Sequence, residues 1–240
     1  EMTEWAQWWP YNAMCPSIEV GNEQCPTGCT ATATAQIMNY WQYPAKGIGH
    51  HSYKPKSGTV GKQSASFNET YYQWDSMDAN HVEAISTLMY HVGVAMAMDY
   101  ALGGSEAYLS SAEIGLQRYF DYSDSSIYLH RENYDDDSWI ELLKSSIANN
   151  KPVLYEGYDG SSGHAWVIDG YDNQSLFHMN FGWGGNSDGY YSINTLSVGW
   201  YNFNNNQGAV FGICPANSPL NADFEISQGD SVLKFNFYIS

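Results

Sequence analysis

Apolar residues in the first part of the chain recur every three to four positions, which is the spacing of one helical face. This pattern predicts helices over residues 25–43, 80–99, 105–120 and 137–149. The first differs from the others because residues 30–35 alternate threonine and alanine and carry almost no bulk. A helix of such small side chains suits a buried, closely packed position.

Residues suited to starting or stopping helices stand at several of these boundaries. Ser105 and Asp137 are the expected N-caps of the last two helices, since their side chains can accept a bond from a free helical N–H. Pro44 is expected to end the first helix.

From residue 153 onward the apolar period changes from helical spacing to two. Strands are predicted over 153–158, 164–171, 176–181, 189–193 and 209–213. Asp172 and Asn173 form the predicted hairpin turn between the second and third of them. Because helices come first and antiparallel strands later, the pattern predicts an α+β fold with a helical lobe, a β lobe and a cleft between them.

The remaining segments are less regular. Residues 44–80 are rich in turns, and short strands are expected there only around residues 52 and 53. We expect residues 1–215 to form one domain. Residues 216–240 are expected to be an extension that either joins the β lobe, with one or two edge strands after residue 224, or begins a further domain.

Composition narrows the possible partners. The chain has 240 residues, with 9 basic and 26 acidic side chains and a net charge of −17. This balance argues against nucleic acid and against an anionic membrane surface, both of which require clustered basic residues. Four cysteines permit at most one disulfide if one of them is a free nucleophile.

The strongest chemical candidate is Cys29. It follows Gly28 and opens the small-residue helix, where unpaired N–H groups and the helix dipole favour a thiolate. Gly28, without a Cβ, would let a substrate backbone approach the sulfur. Most cysteines are buried structural residues, so this segment alone leaves both interpretations open.

Among the seven histidines, His164 has the most distinctive setting. It follows a flexible turn that ends at Gly163 and opens an apolar strand, which would leave its ring exposed on one side. A neutral imidazole there could take the proton of Cys29. The two residues lie about 135 positions apart, within the range of roughly 130–150 typical of papain-type enzymes.

A histidine base works best when its other ring nitrogen is held. Asn180 lies on the next predicted strand and could hold it, and Trp183 in the following glycine-rich bend could shield the pair from water. No carboxylate or cysteine stands at metal-ligand spacing from His50 and His51, so we expect them at the surface.

Six segments in this order resemble the streptopain and interpain family of papain-like cysteine peptidases, peptidase family C10. They are Gln7 to Asn12, Thr27 to Met38, Tyr43 to Gly47, Met98 to Tyr100, Gly163 to Gly170 and His178 to Gly189. Together they extend the likeness from about Gln7 to Ile213.

The resemblance implies a secreted bacterial endopeptidase made as a zymogen, inhibited by its own propeptide, of which this chain would be the mature part. It implies Cys29 as nucleophile, His164 as base and acid, and Gln7 as oxyanion donor beside the Cys29 N–H. It implies protein or peptide substrates with a bulky apolar residue two positions before the cleaved bond. Neither a metal nor an organic cofactor is implied.

The chain departs from papain at two places. Cys25 lies four positions before Cys29, which does not match the spacing of the papain disulfide. Asn180 lies three positions before Trp183 rather than two, so either its side chain or the Phe181 carbonyl could orient His164.

Two other functions compete with the peptidase. The same Cys29 and His164 pair would serve a transglutaminase or an amidase. The alternative that is not an enzyme is an adhesin-like binding module on a degenerate peptidase fold.

Overall fold

The computed structural model describes residues 2–18, 23–78 and 81–220. Within these ranges the chain forms four α-helices: α1 (Cys29–Trp41), α2 (Val82–Ala95), α3 (Leu109–Phe120) and α4 (Asp136–Ala148). The four predicted helices are confirmed, with shorter bounds at most ends. The expected edge strands after residue 224 lie outside the described residues.

Ten strands accompany these helices in the described part of the chain. They are β1 (His50–Tyr53), β2 (Gln63–Ser66), β3 (Ile127–His130), β4 (Val153–Tyr158), β5 (Gly163–Tyr171), β6 (Phe177–Asn180), β7 (Gly189–Tyr191), β8 (Ser197–Val198), β9 (Tyr201–Asn202) and β10 (Asn205–Phe211). Six of them form an antiparallel sheet in the order β3-β10-β4-β5-β6-β7. The α+β prediction is therefore confirmed.

The sheet has an apolar layer on each face, because successive side chains point to opposite faces and apolar residues occupy both sets of positions. Leu154, Val167 and Val210 point toward the cluster that contains α1, α2 and α3. Tyr155, Trp166 and Phe211 point toward the cluster that contains Trp139 of α4. The sheet therefore separates two cores, and α1 lies against its central strand β5.

Helix α1 is buried from Thr30 to Met38, as its small side chains predict. Its threonine hydroxyls need partners there, since an unpaired buried hydroxyl destabilises the fold. Thr34 donates to the Thr30 carbonyl at 2.7 Å, and Thr30 donates to the Ala107 carbonyl at 3.0 Å. The threonines thus allow close packing and also tie α1 to the segment before α3.

Both predicted N-caps are wrong. Helix α3 begins at Leu109, and Ser105 instead donates to the Pro26 carbonyl at 2.7 Å, which fixes the loop before α1. Helix α4 is capped by Asp135, whose carboxylate accepts from the Ser138 N–H at 2.7 Å. Because residues 135–137 are all aspartate, local sequence could not show which one caps the helix.

Other differences concern the strands. Four of them, β2, β3, β8 and β9, have no counterpart among the predicted strands, and β10 starts four residues earlier than expected. The predicted turn at Asp172 is confirmed, with its carboxylate accepting from the Leu176 N–H at 2.9 Å. Beyond residue 215, the Ala216 N–H bonds to the Asp121 carbonyl.

Candidate active site

Cys29 is the first residue of α1 and is partly buried. Its N–H lies in the first turn, where the helix itself supplies no acceptor. Gly28 before it has φ 87°, which glycine adopts without strain. A Cβ on Gly28 would lie 2.8 Å from both Met98 Cε and the Ser105 carbonyl oxygen. Protein atoms therefore fill that space, and substrate contact through the Gly28 backbone stays a prediction.

Cys29 begins the helix that packs against the central strand β5 of the sheet. The main-chain N–H of Ala165 in β5 favours the thiolate and so opposes the rise of the Cys29 pKa. Because Ala165 directly follows His164, this packing brings the start of α1 toward the strand that carries the imidazole. Gly163, before His164, is exposed and opens β5.

The ring of His164 is buried and held by a single main-chain acceptor. Its Nε2 lies 2.8 Å from the Phe181 carbonyl oxygen. A carbonyl oxygen can only accept a hydrogen bond, so Nε2 carries the proton. In the neutral ring Nδ1 is then unprotonated and able to act as a base.

The two predicted candidates for orienting His164 are therefore distinguished. The contact is made by the Phe181 carbonyl and not by Asn180. The Asn180 amide donates to the Thr3 carbonyl at 2.7 Å, and its oxygen accepts from the Gln36 side chain at 3.0 Å. Asn180 thus joins the N-terminal arm, α1 and β6, which form the walls of the site.

A second hydrogen bond, made by its N–H, also holds Phe181 in place. The Phe181 N–H donates to Asp188 Oδ1 at 2.9 Å. Burial raises the pKa of Asp188, and the Phe181 N–H and the His178 charge oppose that rise. Phe181 is therefore held at both its carbonyl and its N–H, which belong to the peptide groups on either side of its Cα.

Trp183 lies where the sequence predicts a shield. Its ring centroid is 4.7 Å from that of His164, with an interplanar angle of 30°. Phe203 is also stacked on His164, at 5.6 Å and 29°. These rings limit water around the imidazole.

Gln7 lies on an arm that runs beside the loop before α1. Its carbonyl accepts from the Thr27 N–H at 2.9 Å, two residues before Cys29. The Trp5 N–H donates to Gln36 of α1 at 3.1 Å, and the Gly184 N–H donates to the Trp5 carbonyl at 3.2 Å. The arm therefore brings Gln7 near the start of α1 and is tied to the loop that carries Trp183.

Burial favours the neutral form of both reactive groups, because it disfavours an isolated charge. It raises the pKa of the Cys29 thiol, and this is opposed by the Ala165 N–H and by the hydroxyl and N–H of Thr30. It lowers the pKa of His164 to about 4, and this is opposed by the Phe181 carbonyl. Around neutral pH the Cys29 sulfur and Nδ1 of His164 together therefore hold one proton.

Several residues of this site are not among the sequence-based candidates. Gln36, Ala165 and Asp188 act through contacts between distant parts of the chain, which local patterns do not show. Gln36 does carry a signal, since it is a polar residue on a helix whose neighbours are apolar or small. Cys15, Cys25 and Cys214 are free and buried.

Neither a cluster of metal ligands nor a membrane-spanning helix occurs in the part of the chain that the structure describes. Across 2–18, 23–78 and 81–220, no three histidine, cysteine or acidic side chains come together in an arrangement that could ligate a metal. Over the same ranges, none of the helices has the length and apolar character needed to traverse a bilayer.

The sequence was compared with protein families and with curated proteins. The model of the Peptidase C10 family matches residues 5–191. The chain is 36% identical to the thiol protease/hemagglutinin PrtT of Porphyromonas gingivalis, over 89% of this chain and 26% of PrtT. It is 34% identical to streptopain of Streptococcus pyogenes, over 86% of this chain and 59% of streptopain. It therefore spans only part of these relatives.

Solved structures give the same result. The active wild-type interpain A cysteine protease of Prevotella intermedia is 38% identical with a TM-score of 0.79, covering 87% of this chain and 91% of that one. A prointerpain A fragment from the same organism, a cysteine-to-alanine mutant, is 38% identical with a TM-score of 0.75, covering 87% and 69%. Fold and site thus define a papain-like cysteine peptidase domain, and the chain belongs to the Peptidase C10 family.

Proposed function

We propose that this chain is a cysteine endopeptidase in which Cys29 is the nucleophile and His164 the general base and acid. The observation that carries this proposal is the bond that orients the His164 ring. The Phe181 carbonyl accepts from Nε2 at 2.8 Å and leaves Nδ1 as the base, and Cys29 begins the helix that packs on the strand of His164. A helix-borne thiol beside a free imidazole nitrogen is the arrangement that thiol acyl transfer requires.

The reaction proceeds through a thioester. Cys29 attacks the scissile carbonyl carbon while its proton is taken by Nδ1 of His164. The tetrahedral intermediate collapses as the C–N bond breaks, and His164 gives the proton to the leaving amine. Water then attacks the thioester, its proton passes through His164 to the Cys29 sulfur, and the carboxylic acid is released.

The negative oxygen of each intermediate needs donors that are already in place. The Cys29 N–H is free of an intrahelical partner, and Gln7 lies on the adjacent arm. We assign these two groups to the oxyanion site. Trp183 then covers the imidazole and keeps water from the acylation step.

Replacing Gln7 by alanine is expected to lower kcat about 10²–10³-fold, because one oxyanion donor is lost. Alkylation of Cys29 by iodoacetamide passes through no carbonyl oxyanion, so its rate should change little. Steady-state hydrolysis and single-turnover alkylation measure the two effects. Unchanged kcat would remove Gln7 from the site, whereas equal loss in both assays would indicate a damaged site. Gln42→Ala, at the far end of α1, is the matched control.

The pH dependence of kcat/KM follows from the shifted pKa values. His164 has a lowered pKa of about 4, so it binds a second proton and stops being a base only near that pH. The Cys29 pKa is raised, which moves the alkaline limit upward. Hydrolysis of a peptide without ionisable side chains should therefore be flat from about pH 5 to 9. A steep fall between pH 7 and 6 would contradict this assignment.

The biological setting is also part of the proposal. We assign residues 1–215 to the catalytic domain, protein or peptide chains as substrates, and a secreted location with a propeptide as inhibitor. The prointerpain A fragment and the greater length of streptopain and PrtT support longer forms in this family. The net charge of −17 supports the exclusion of nucleic acid and membrane surfaces.

Product analysis distinguishes hydrolysis from acyl transfer at the same thiol. Casein treated with the protein should acquire new main-chain amino termini, detected by mass spectrometry after amine labelling. Prior alkylation of Cys29 should prevent them. Isopeptide cross-links or deamidated glutamine without new termini would instead identify a transglutaminase or an amidase.

A further inference from the structure

One row of residues crosses the sheet beside the thiol. In register, His130 of β3 pairs with Gly208 of β10, Gly208 pairs with Glu156 of β4, and Glu156 pairs with Ala165 of β5. Directly paired residues of antiparallel strands point to the same face, about 5 Å apart. Ala165 directly follows His164, so Glu156 lies one strand away from the residue next to the imidazole.

Glu156 also points toward the thiol side of the sheet and not toward the core beneath α4. Its neighbour two positions earlier, Leu154, belongs to the cluster that contains α1. Tyr155 and Trp166 belong to the opposite cluster. The Glu156 side chain is half-buried, so part of its surface stays exposed.

The carboxylate is held by Tyr128, whose hydroxyl donates to Glu156 Oε1 at 2.6 Å. Gly208 makes this bond possible, because a Cβ there would lie 2.4 Å from the Tyr128 hydroxyl oxygen. Burial raises the pKa of Glu156, and the Tyr128 bond and the His130 charge oppose this rise. One carboxylate oxygen is therefore occupied, and the other remains for a ligand.

The position of Glu156 indicates which part of a substrate it meets. His164 must protonate the leaving amine, so the segment after the cleaved bond lies on the side of His164 and Trp183. The acyl segment lies on the other side, over Ala165 and β4. An extended peptide advances about 3.3 Å per residue, so the second residue before the cleaved bond can reach the Glu156 row.

We propose that Glu156 is the anionic end of a substrate subsite that takes an arginine or lysine side chain at the second position before the cleaved bond. This inference rests on the proposed function. The apolar stem of such a side chain would lie on Ala165, and its charged end would meet the carboxylate. The subsite therefore accepts apolar residues, as the family resemblance implies, and adds a preference for a positive charge.

The test measures binding to the Cys29→Ala protein, which cannot turn substrate over. Two peptides are compared that differ only in arginine or its neutral isostere citrulline at that position. We expect the arginine peptide to bind about tenfold more tightly, as a charge-assisted hydrogen bond would provide. Adding Glu156→Gln should remove the difference, whereas Glu141→Gln, an equal change of charge on exposed α4, should keep it.

The possible results distinguish a failure of the subsite from a failure of the proposed endopeptidase function. Equal or undetectable binding of the two peptides to Cys29→Ala, or a preference that survives Glu156→Gln, overturns the subsite. The first comparison needs no change at Glu156, so it stands even if that variant folds poorly. If the arginine preference is present but the unmodified protein cleaves neither peptide, the subsite stands and the proposed endopeptidase function fails.

Discussion

Replacing Cys29 by alanine is expected to abolish casein cleavage, with a loss of at least about 10⁴-fold, because no thioester can form without the sulfur. Alanine is compatible with the first turn of α1, and the position is only partly buried. The fold should therefore persist, as judged by circular dichroism and thermal unfolding. Cleavage is measured as release of acid-soluble peptides.

The matched control is Cys214→Ala, which removes a thiol from a buried position next to Pro215. It should retain cleavage per folded molecule even if its melting temperature is lower. A Cys29→Ala protein that cleaves casein at the normal rate would end the proposal. Loss of cleavage in both variants at equal folded fraction would show that removing either thiol disturbs the site.

Replacing His164 by alanine is expected to lower kcat at least about 10³-fold, because the thiol loses its base and the leaving amine its acid. The Phe181 carbonyl then loses its partner at Nε2 but can bond to water in the space that is left. The measurement is kcat on a fluorogenic peptide under saturating conditions.

His50→Ala is the control for this variant, because His50 is an exposed histidine in β1. It should leave kcat unchanged. If His164→Ala retained more than about a tenth of the kcat, His164 could be neither the base nor the acid. Restored activity with added imidazole would support direct proton transfer by the missing ring.

The two lobes were predictable because their sequence periods differ. The spacing of three and four residues in α2 reflects one buried face of a helix. The period of two in β4 and β5 reflects strands whose side chains are buried on both faces of the sheet. The positions of Cys29 and His164 at the starts of α1 and β5 were also predictable, since a glycine directly precedes each residue. These features depend on residues that are close together in the sequence, so they can be predicted from local patterns.

Contacts between distant segments were not predictable in the same way. The sequence left Asn180 and Phe181 as alternatives, because which group meets Nε2 depends on how the chain turns after β6. Asn180 is occupied by Thr3 and Gln36, residues that lie far away along the chain. Likewise the pairing of Glu156 with Ala165 follows from strand register, which neighbouring residues do not specify.

The displaced N-caps have a related cause. Ser105 has the right side chain for a cap, but its hydroxyl is used by the Pro26 carbonyl from another segment. A competing tertiary hydrogen bond therefore moved the start of α3 to Leu109. Local propensity therefore predicts that α3 forms, whereas contacts with other segments determine the residue at which it begins.

The sharing of one proton by the Cys29 sulfur and the His164 imidazole is tested most directly by iodoacetamide alkylation at pH 6, in the unmodified protein and in His164→Ala. Mass spectrometry gives the rate at Cys29 alone. We predict rapid alkylation of the unmodified protein, and a reaction at least about 10²-fold slower in the variant that recovers only in alkali. Equal rates at pH 6 would show that the thiol does not depend on the imidazole, and the mechanism would be wrong.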